Sequence, residues 1–485
     1  MQPFFQWFAR RIQSSEPWLI LGKGPSFASR ARFDLSRFHL LSLNHAVREQ
    51  PVLVAHVIDL DVVRACGDAI EKNAGVLVMP WYPHVRNLAG HRTLEEVAEE
   101  LPVLRRLKGE GRLLWYDLST SAIRQGAGPV IQATYFSAEA ALNLLALAGV
   151  RRVRTLGVDG GSTYSGAFED LRNSTLLANG RPNFDFQFQG FARTIFQTGV
   201  DFAPLDLPSP PRVYLSRTSN ELLPAAVLQH SVRRHCSLTV ELVTLDAGSA
   251  EEVPEGPGVL LPPRAQVLAD LGPLWRAGVR EQEVIVPLEP EGSDAPGLAI
   301  VGAGLSSAIP ALASLIRLRA PFRTLSAAAG GRARAALPAD WNPGRRAGLK
   351  RQIIQYYPAD GSEPWISRSH PLGHLWVRDL LDAVAKGFVS MELVAEEVRR
   401  GHVRPSLLYQ VEHGLEEPLL LPRRARRLDR AFAAARAPGR PQPATRRWIA
   451  VTRAVAREAR RKLRLLRNRY RTHPGSSPAT LVARQ

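Results

Sequence analysis

Cysteine, methionine and long apolar runs are all scarce in this 485-residue chain, which has two cysteines and three methionines. Cys66 and Cys236 lie far apart without spaced partners. That excludes a disulfide framework and a cysteine zinc site, and it suits a reducing compartment. The longest apolar stretch, residues 138–150, is about 13 residues long and carries Glu139 and Asn143, too short to span a bilayer. The first eleven residues mix Phe4, Phe5, Trp7 and Phe8 with Arg10 and Arg11. They lack the charged start, apolar run and small-residue cleavage site of a signal peptide. The expected location is therefore the cytoplasm. No internal repeat of solenoid period is present. Acidic residues are scarce only at the end of the chain. Arg423 to Gln485 holds 19 basic and two acidic residues, while the whole chain has a net charge of +18. The body is thus close to neutral, and the basicity belongs to the tail.

With 45% apolar and 22% charged residues the chain is neither disordered nor fibrous. Its length predicts two or three domains. Apolar runs at 18–21, 40–43, 52–58, 75–79, 112–116 and 153–157 alternate with helical patterns, notably at 93–107 and 137–148. That alternation predicts an α/β unit with a mostly parallel sheet over residues 1–205. Residues 206–211 lie in a proline-rich stretch and read as a linker. A second α/β pattern follows over 212–435, with strands at 212–215, 239–244, 258–261, 283–287 and 298–301 and a helical region from about 376. The fold class expected is α/β: two Rossmann-like domains in tandem, then a basic helical tail over 436–485.

The first strand breaks into Gly22-Lys23-Gly24-Pro25-Ser26. Glycines let a backbone approach a phosphate, a helix start attracts the anion, and Ser26 offers a hydroxyl. The plainer alternative is a tight turn with no ligand. Other strands end in Asn44-His45, in Asp59 and Asp61, and in Asp159-Gly160-Gly161. Ligands of open α/β sheets sit outside the carboxyl ends of the strands, so one nucleotide site is expected there. Helix capping is the alternative role for Asp59 and Asp61. Histidines 45, 56, 84 and 91 are the acid–base candidates. His84, just after a strand, leads, with His91 beside it. The Gly-, Ser- and Asn-rich residues 159–185 read as a functional loop or lid.

Gly22, Gly24, Pro25, Ser26, Asn44, Gly157 and Asp159 resemble the motifs of the sialyltransferase-like and 6-hydroxymethylpterin diphosphokinase-like group, which includes motility accessory factors. The resemblance covers residues 15–205. It implies a nucleotide site around Gly22, Gly24, Pro25, Ser26, Asn44 and Asp159, in a group that uses CMP-activated sugars or transfers diphosphate; with Lys23, Asp59 and Gly160 added from the strand ends, the donor expected is a CMP- or UDP-activated sugar. Lys23 stands where that group usually has Asn.

Residues 212–420 resemble a glycosyltransferase family 8-type domain, through residues 213–235, residues 260–275, Glu363-Pro364-Trp365 and residues 370–376. That family holds a divalent cation with an Asp-x-Asp pair and a late histidine. Here the corresponding positions are Pro262, Arg264 and Gln355, and the early acidic position is Thr218 or a neighbour. Arginine cannot ligate a cation. The resemblance therefore implies a metal-deficient domain, and no cofactor is expected with certainty.

Trp448, Val451, Val455, Ala459, Leu463, Leu466 and Tyr470 recur at steps of three and four among arginines. This is a basic amphipathic helix suited to an anionic membrane surface. Docking on the body comes second and nucleic acid third. The leading expectation is a peripheral, cytoplasmic glycosyltransferase-type enzyme of bacterial surface polysaccharide or glycoconjugate synthesis, with a glycan or lipid-linked acceptor. The alternatives are a non-catalytic membrane scaffold of relic domains and a Mg²⁺-dependent diphosphotransferase using Asp59, Asp61 and Asp159.

Overall fold

The computed structural model describes residues 1–12, 15–121, 123–126, 128–175, 180–207, 210–246, 258–276, 284–285, 299–301, 333–334, 354–357 and 361–436. The expected tail, with its helix from Trp448 to Tyr470, lies outside them.

The N-terminal region alternates strand and helix: β1 (Gln2–Pro3), α1 (Phe4–Arg11), β2 (Trp18–Leu21), β3 (His39–Leu43), β4 (Val52–His56), α2 (Leu60–Asn73), β5 (Ala74–Pro80), α3 (Leu94–Glu100), α4 (Pro102–Gly109), β6 (Leu113–Tyr116), α5 (Ser137–Leu147), β7 (Arg152–Leu156), the single turn α6 (Arg172–Thr175), α7 (Gln187–Thr198) and β8 (Asp201–Pro204). The eight strands form one sheet in the order β1-β6-β5-β4-β3-β2-β7-β8. Every pairing is parallel. A parallel sheet is covered on both faces, so its strands read as continuous apolar runs. In β2, Trp18 and Ile20 join the core under α1, α5 and α7. Leu19 and Leu21 join the core under α2, α3 and α4. The chain winds outward from β2 through β3 to β6, then returns to its other side for β7 and β8. The ends of β2, β3 and β7 thus flank the point where the order reverses, the usual crevice for a ligand.

The expected single helix over 93–107 is two helices. Leu101 is extended, with φ −93° and ψ 115°, and Pro102 opens α4. Proline has no N–H and clashes with the preceding turn, so it starts a helix and does not continue one. The turn after β2 leads into a 3₁₀ helix, Pro25–Arg32, and not the α-helix start that was expected.

The C-terminal region contains β9 (Arg212–Arg217), α8 (Leu222–His235), β10 (Glu241–Asp246), β11 (Gly258–Leu261), β12 (Ala265–Val267), α9 (Gly272–Arg276), β13 (Val284–Ile285), β14 (Ala299–Val301), β15 (Ala333–Arg334) and β16 (Ile354–Tyr356). Helices α10 (Gly373–Ala385), α11 (Met391–Arg399), α12 (Ser406–His413) and α13 (Arg423–Arg436) follow. Its sheet runs β10-β9-β11-β14-β13-β15, with β14 antiparallel to both neighbours. Strands β12 and β16 pair separately. The proline-rich linker does not separate the apolar cores on its two sides. Val213, Leu215, Leu228 and Val232 pack into the same cluster as Phe191 and Phe202. Phe196 stacks on Phe388 at 5.8 Å. Among the described residues no helix is long and apolar enough to cross a membrane.

Candidate functional site

The glycine turn after β2 is stitched to the turn after β7. Gly22 N–H donates to the Leu156 carbonyl and Gly24 N–H to the Gly157 carbonyl, each at 2.8 Å. Ser26 N–H donates to Asp159 Oδ2 at 2.7 Å, and its hydroxyl donates to Asp159 Oδ1. Gly157 N–H in turn donates to Ser26 Oγ at 2.7 Å. A Cβ on Gly22 would collide with the Gly157 carbonyl, and one on Gly24 would lie 2.5 Å from Asp159 Oδ2. These glycines are therefore required by the close approach of two strand ends. The expectation that these amides and the Ser26 hydroxyl cradle a phosphate is corrected: Asp159 and the β7 end already take them.

Around this junction lies a cavity of about 810 Å³. Gly22, Lys23, Gly24, Asn44, Asp59, His84, Asp159 and Gly160 all line it. Pro25 and Ser26 are not among its lining residues. His91 is exposed and off the wall, so it does not join His84. The capping box of Thr93 and Glu96 fixes the start of α3 beside it. Asn44 has φ 51°, a left-handed conformation that Asn tolerates better than most residues, and its Nδ2 donates to Ser137 Oγ at 3.0 Å. This ties the end of β3 to the start of α5.

Asp59 caps helix α2, as the alternative held, whereas Asp61 sits in the helix's first turn; both line the cavity. Asp59 Oδ1 accepts from Asp61 N–H at 2.9 Å, and its Oδ2 accepts from Asn87 N–H at 2.5 Å. Asp61 accepts from Arg86 N–H at 2.9 Å and from the Arg64 guanidinium at 2.8 Å. Arg86 and Asn87 have φ of 50° and 61°, the two left-handed positions of a tight hairpin between Val85 and Leu88. Burial raises the Asp59 pKa. Burial acts the same way on Asp61, but the Arg86 N–H, the Asp59 carboxyl and Arg64 outweigh it and hold Asp61 below the usual range.

His84 Nε2 lies 3.0 Å from Thr120 Oγ1, and burial keeps its pKa low. His45 is 3% exposed and lines the cavity. Burial, then the charges of Lys23 and Arg48, push it down to about 4. His56 is fully buried off the cavity, 2.8 Å from the Tyr116 hydroxyl, and burial pushes it to about 3. It is a core residue.

The cavity lining also includes an aromatic and cationic belt. The Lys23 ammonium sits 4.4 Å from the centre of the Tyr164 ring. Tyr164 stacks on Phe184 at 6.0 Å, and Phe184 meets Phe136 at 5.2 Å. The Arg181 guanidinium lies 4.5 Å from Tyr135. The segment 159–185 contributes Tyr164, Arg181 and Phe184. Ser165 N–H on the Lys23 carbonyl ties it to the turn after β2, and Phe184 N–H on the Gly161 carbonyl ties two parts of the segment together, each at 2.8 Å. Glu139, 1% exposed, accepts from the N–H groups of Thr134, Tyr135 and Phe136 and so fixes the aromatic pair before α5. Tyr135, Phe136 and Arg181 were not singled out from the sequence. The one available signal was a Glu two residues after Ser137, at a helix start.

In the C-terminal region, Arg264 leaves the turn after β11. Its guanidinium lies 3.3 Å from Glu221 Oε1 and 3.9 Å from Glu363 Oε1. Thr218 Oγ1 donates to Glu221 at 2.8 Å, so a carboxylate stands three residues after Thr218. Pro262 only shapes the turn, its carbonyl accepting from Ala265 N–H. Gln355 pairs across β12 with Gln266. Among the described residues no three His, Cys, Asp or Glu side chains are grouped to hold a metal. A guanidinium between two carboxylates does not fit a divalent cation site.

No family profile and no curated protein matches this chain. Among solved structures it is similar to the apo WbbM bifunctional glycosyltransferase, at 12% identity over 37% of this chain and 51% of that one, with a TM-score of 0.26. It is also similar to the glycosyltransferase GlyE of Streptococcus pneumoniae TIGR4, at 13% identity over 37% of this chain and 64% of that one, with a TM-score of 0.27. The apo form of GlyE gives 14% identity at the same coverage and TM-score. The chain thus spans between half and two thirds of these three structures.

Proposed function

We propose that this protein is a glycosyltransferase-type enzyme that binds a sugar nucleotide in the cavity of its first sheet and serves surface polysaccharide or glycoconjugate synthesis. The observation that carries the reading is the polarity of the cavity. Lys23 and Arg181, each over an aromatic ring, line it, and so do Asp59, Asp61 and His84. An aromatic base and its phosphates match the first set, and a hydroxyl-rich acceptor matches the second. His84, kept neutral by burial, accepts the proton of an acceptor hydroxyl. The acceptor oxygen bonds to the sugar carbon, and the bond from that carbon to the nucleotide phosphate breaks. The nucleotide leaves with the electron pair. The acceptor is a glycan or a lipid-linked glycan, and the basic segment after residue 436 holds the enzyme against an anionic membrane.

Calorimetry on the full chain with CMP, CDP, UDP and GDP, each with Mg²⁺, Mn²⁺ or EDTA, tests this. CMP binding that survives EDTA is expected. UDP binding that needs metal would move the active site to the C-terminal region. Absence of binding for all four would favour the second reading, a scaffold without catalysis, which Arg264 between Glu221 and Glu363 supports. A diphosphotransferase would need Asp159 on a magnesium ion, but that carboxylate is held by Ser26.

A further inference from the structure

The cavity lining brings together an amine, Lys23, and a buried imidazole, His45. Lys23 emerges between two glycines whose amides are committed to β7, and its ammonium lies over Tyr164. The groups that act on it come from three neighbouring elements: Arg48 from the 3₁₀ turn after β3, Cys66 from α2 and Asp170 from the lid. The Cys66 thiol is pushed up to about 11 by burial and stays uncharged at neutral pH. Asp170 Oδ2 lies 2.9 Å from the Arg48 guanidinium. The Arg48–Asp170 pair is part-exposed and lies off the cavity lining, whereas Lys23 lines it together with Asp59, Asp61 and Asp159. His45 lines the same cavity, is almost fully buried, and its Nδ1 has no hydrogen-bond partner. A buried polar nitrogen without a partner is costly, and burial disfavours the charged form of an amine. A ligand oxygen bearing negative charge removes both costs.

We infer that Lys23 and His45 form a subsite for a phosphate group of the ligand, and that the phosphate binds together with a proton taken up by Lys23. The inference rests on the sugar-nucleotide reading of the cavity and names the wall that takes the phosphate. Burial holds the Lys23 amine at about 8 in the free protein. A phosphate beside it restores the charged form, so the proton enters from solvent onto Nζ as the anion binds. His45, as the Nδ1–H tautomer, donates to a phosphate oxygen. The sign follows: binding weakens as pH rises through about 8, because the free protein then has to be charged first.

The experiment is calorimetry on the full chain with CMP at pH 8 in Tris and in HEPES, whose ionisation enthalpies differ. Uptake of about half a proton per CMP is expected, with affinity about tenfold weaker at pH 9 than at pH 7.5. Lys23→Arg should bind at both pH values without uptake, since its charge is permanent. Lys23→Met should bind at least tenfold more weakly and show no uptake, with a melting temperature no lower than that of the parent. Wild-type binding with no proton uptake, or Lys23→Met binding CMP as tightly as the parent, overturns the subsite and leaves the sugar-nucleotide reading standing. Inorganic pyrophosphate bound with Lys23-dependent uptake while no nucleotide binds keeps the subsite and overturns that reading. Binding of neither overturns both.

Discussion

The hydroxyl of Ser26 works in two directions: it donates to Asp159 and accepts from the Gly157 N–H. Ser26→Ala therefore strands a carboxylate oxygen and a backbone amide at the junction of β2 and β7. Each loss leaves a desolvated polar group, so about 1–3 kcal/mol of stability should go. Urea unfolding followed by circular dichroism measures it. A midpoint unchanged from the parent would mean that water replaces the hydroxyl. Gly24→Ala acts at the same place by a different route. Its methyl meets Asp159 Oδ2 at 2.5 Å, so the carboxylate must move off the Ser26 amide. Calorimetry with CMP should show weakened binding in Gly24→Ala as well as a lower midpoint, because Asp159 lines the cavity.

At the scale of elements, helix α13 is held through one buried cation. Arg404 is fully buried; its Nε donates to the Pro364 carbonyl at 2.8 Å and its Nη2 to Gln410 Oε1 at 2.5 Å. Asp429 on α13 lies 3.7 Å from it, accepts from Ser406 N–H at 2.9 Å, and pairs with Arg368 at 2.9 Å. Burial lowers the Arg404 pKa to about 10, against the pull of Asp429, so the guanidinium is charged at neutral pH. Asp429→Ala removes its carboxylate and should cost about 3–5 kcal/mol, because a buried charge is left uncompensated. Thermal unfolding checks this, and a loss under 1 kcal/mol would show that Arg404 finds water instead. Proteolysis should then release the chain after α13 first.

The same scale shows what was legible in the sequence. Strand β2 was readable because a parallel strand is buried on both faces and carries an unbroken apolar run. Strand β8, Asp201–Pro204, was not, since only Phe202 in it is buried and its last residue opens the proline stretch. The break at Pro102 was present in the sequence but hidden by helical periodicity on both sides. The strand-end residues Asn44, Asp59 and Asp159 were readable from their place after apolar runs. The aromatic belt was not, because Tyr135 and Phe136 gain meaning only when the distant Phe184 and Arg181 fold against them. Nor was the use of the glycine turn, since a phosphate and a neighbouring strand end ask for the same absence of Cβ.

For the whole molecule, pH is the sharpest lever, because three histidines are buried in neutral form. Burial is the leading cause for each: His45 is pushed to about 4, His56 to about 3 and His235 to about 4. In the unfolded chain each titrates near 6.5. Between that value and the folded ones the unfolded state binds more protons, so stability falls as pH falls. Each histidine contributes a slope of about 1.4 kcal/mol per pH unit at its steepest. Asp59, Glu139 and Asp379 oppose this: burial raises their pKa values, so the folded state takes up protons that the unfolded chain takes up only at lower pH. Their effect gathers near the carboxylate range, which leaves the histidines dominant from about pH 6.5 down to about pH 5. Urea unfolding at pH 7, 6 and 5 should therefore show a steep, progressive loss. The double variant His56→Phe with His235→Phe, which lies off the cavity, should flatten it. A stability that holds level to pH 5 would mean that these imidazoles are reached by water and charge without unfolding.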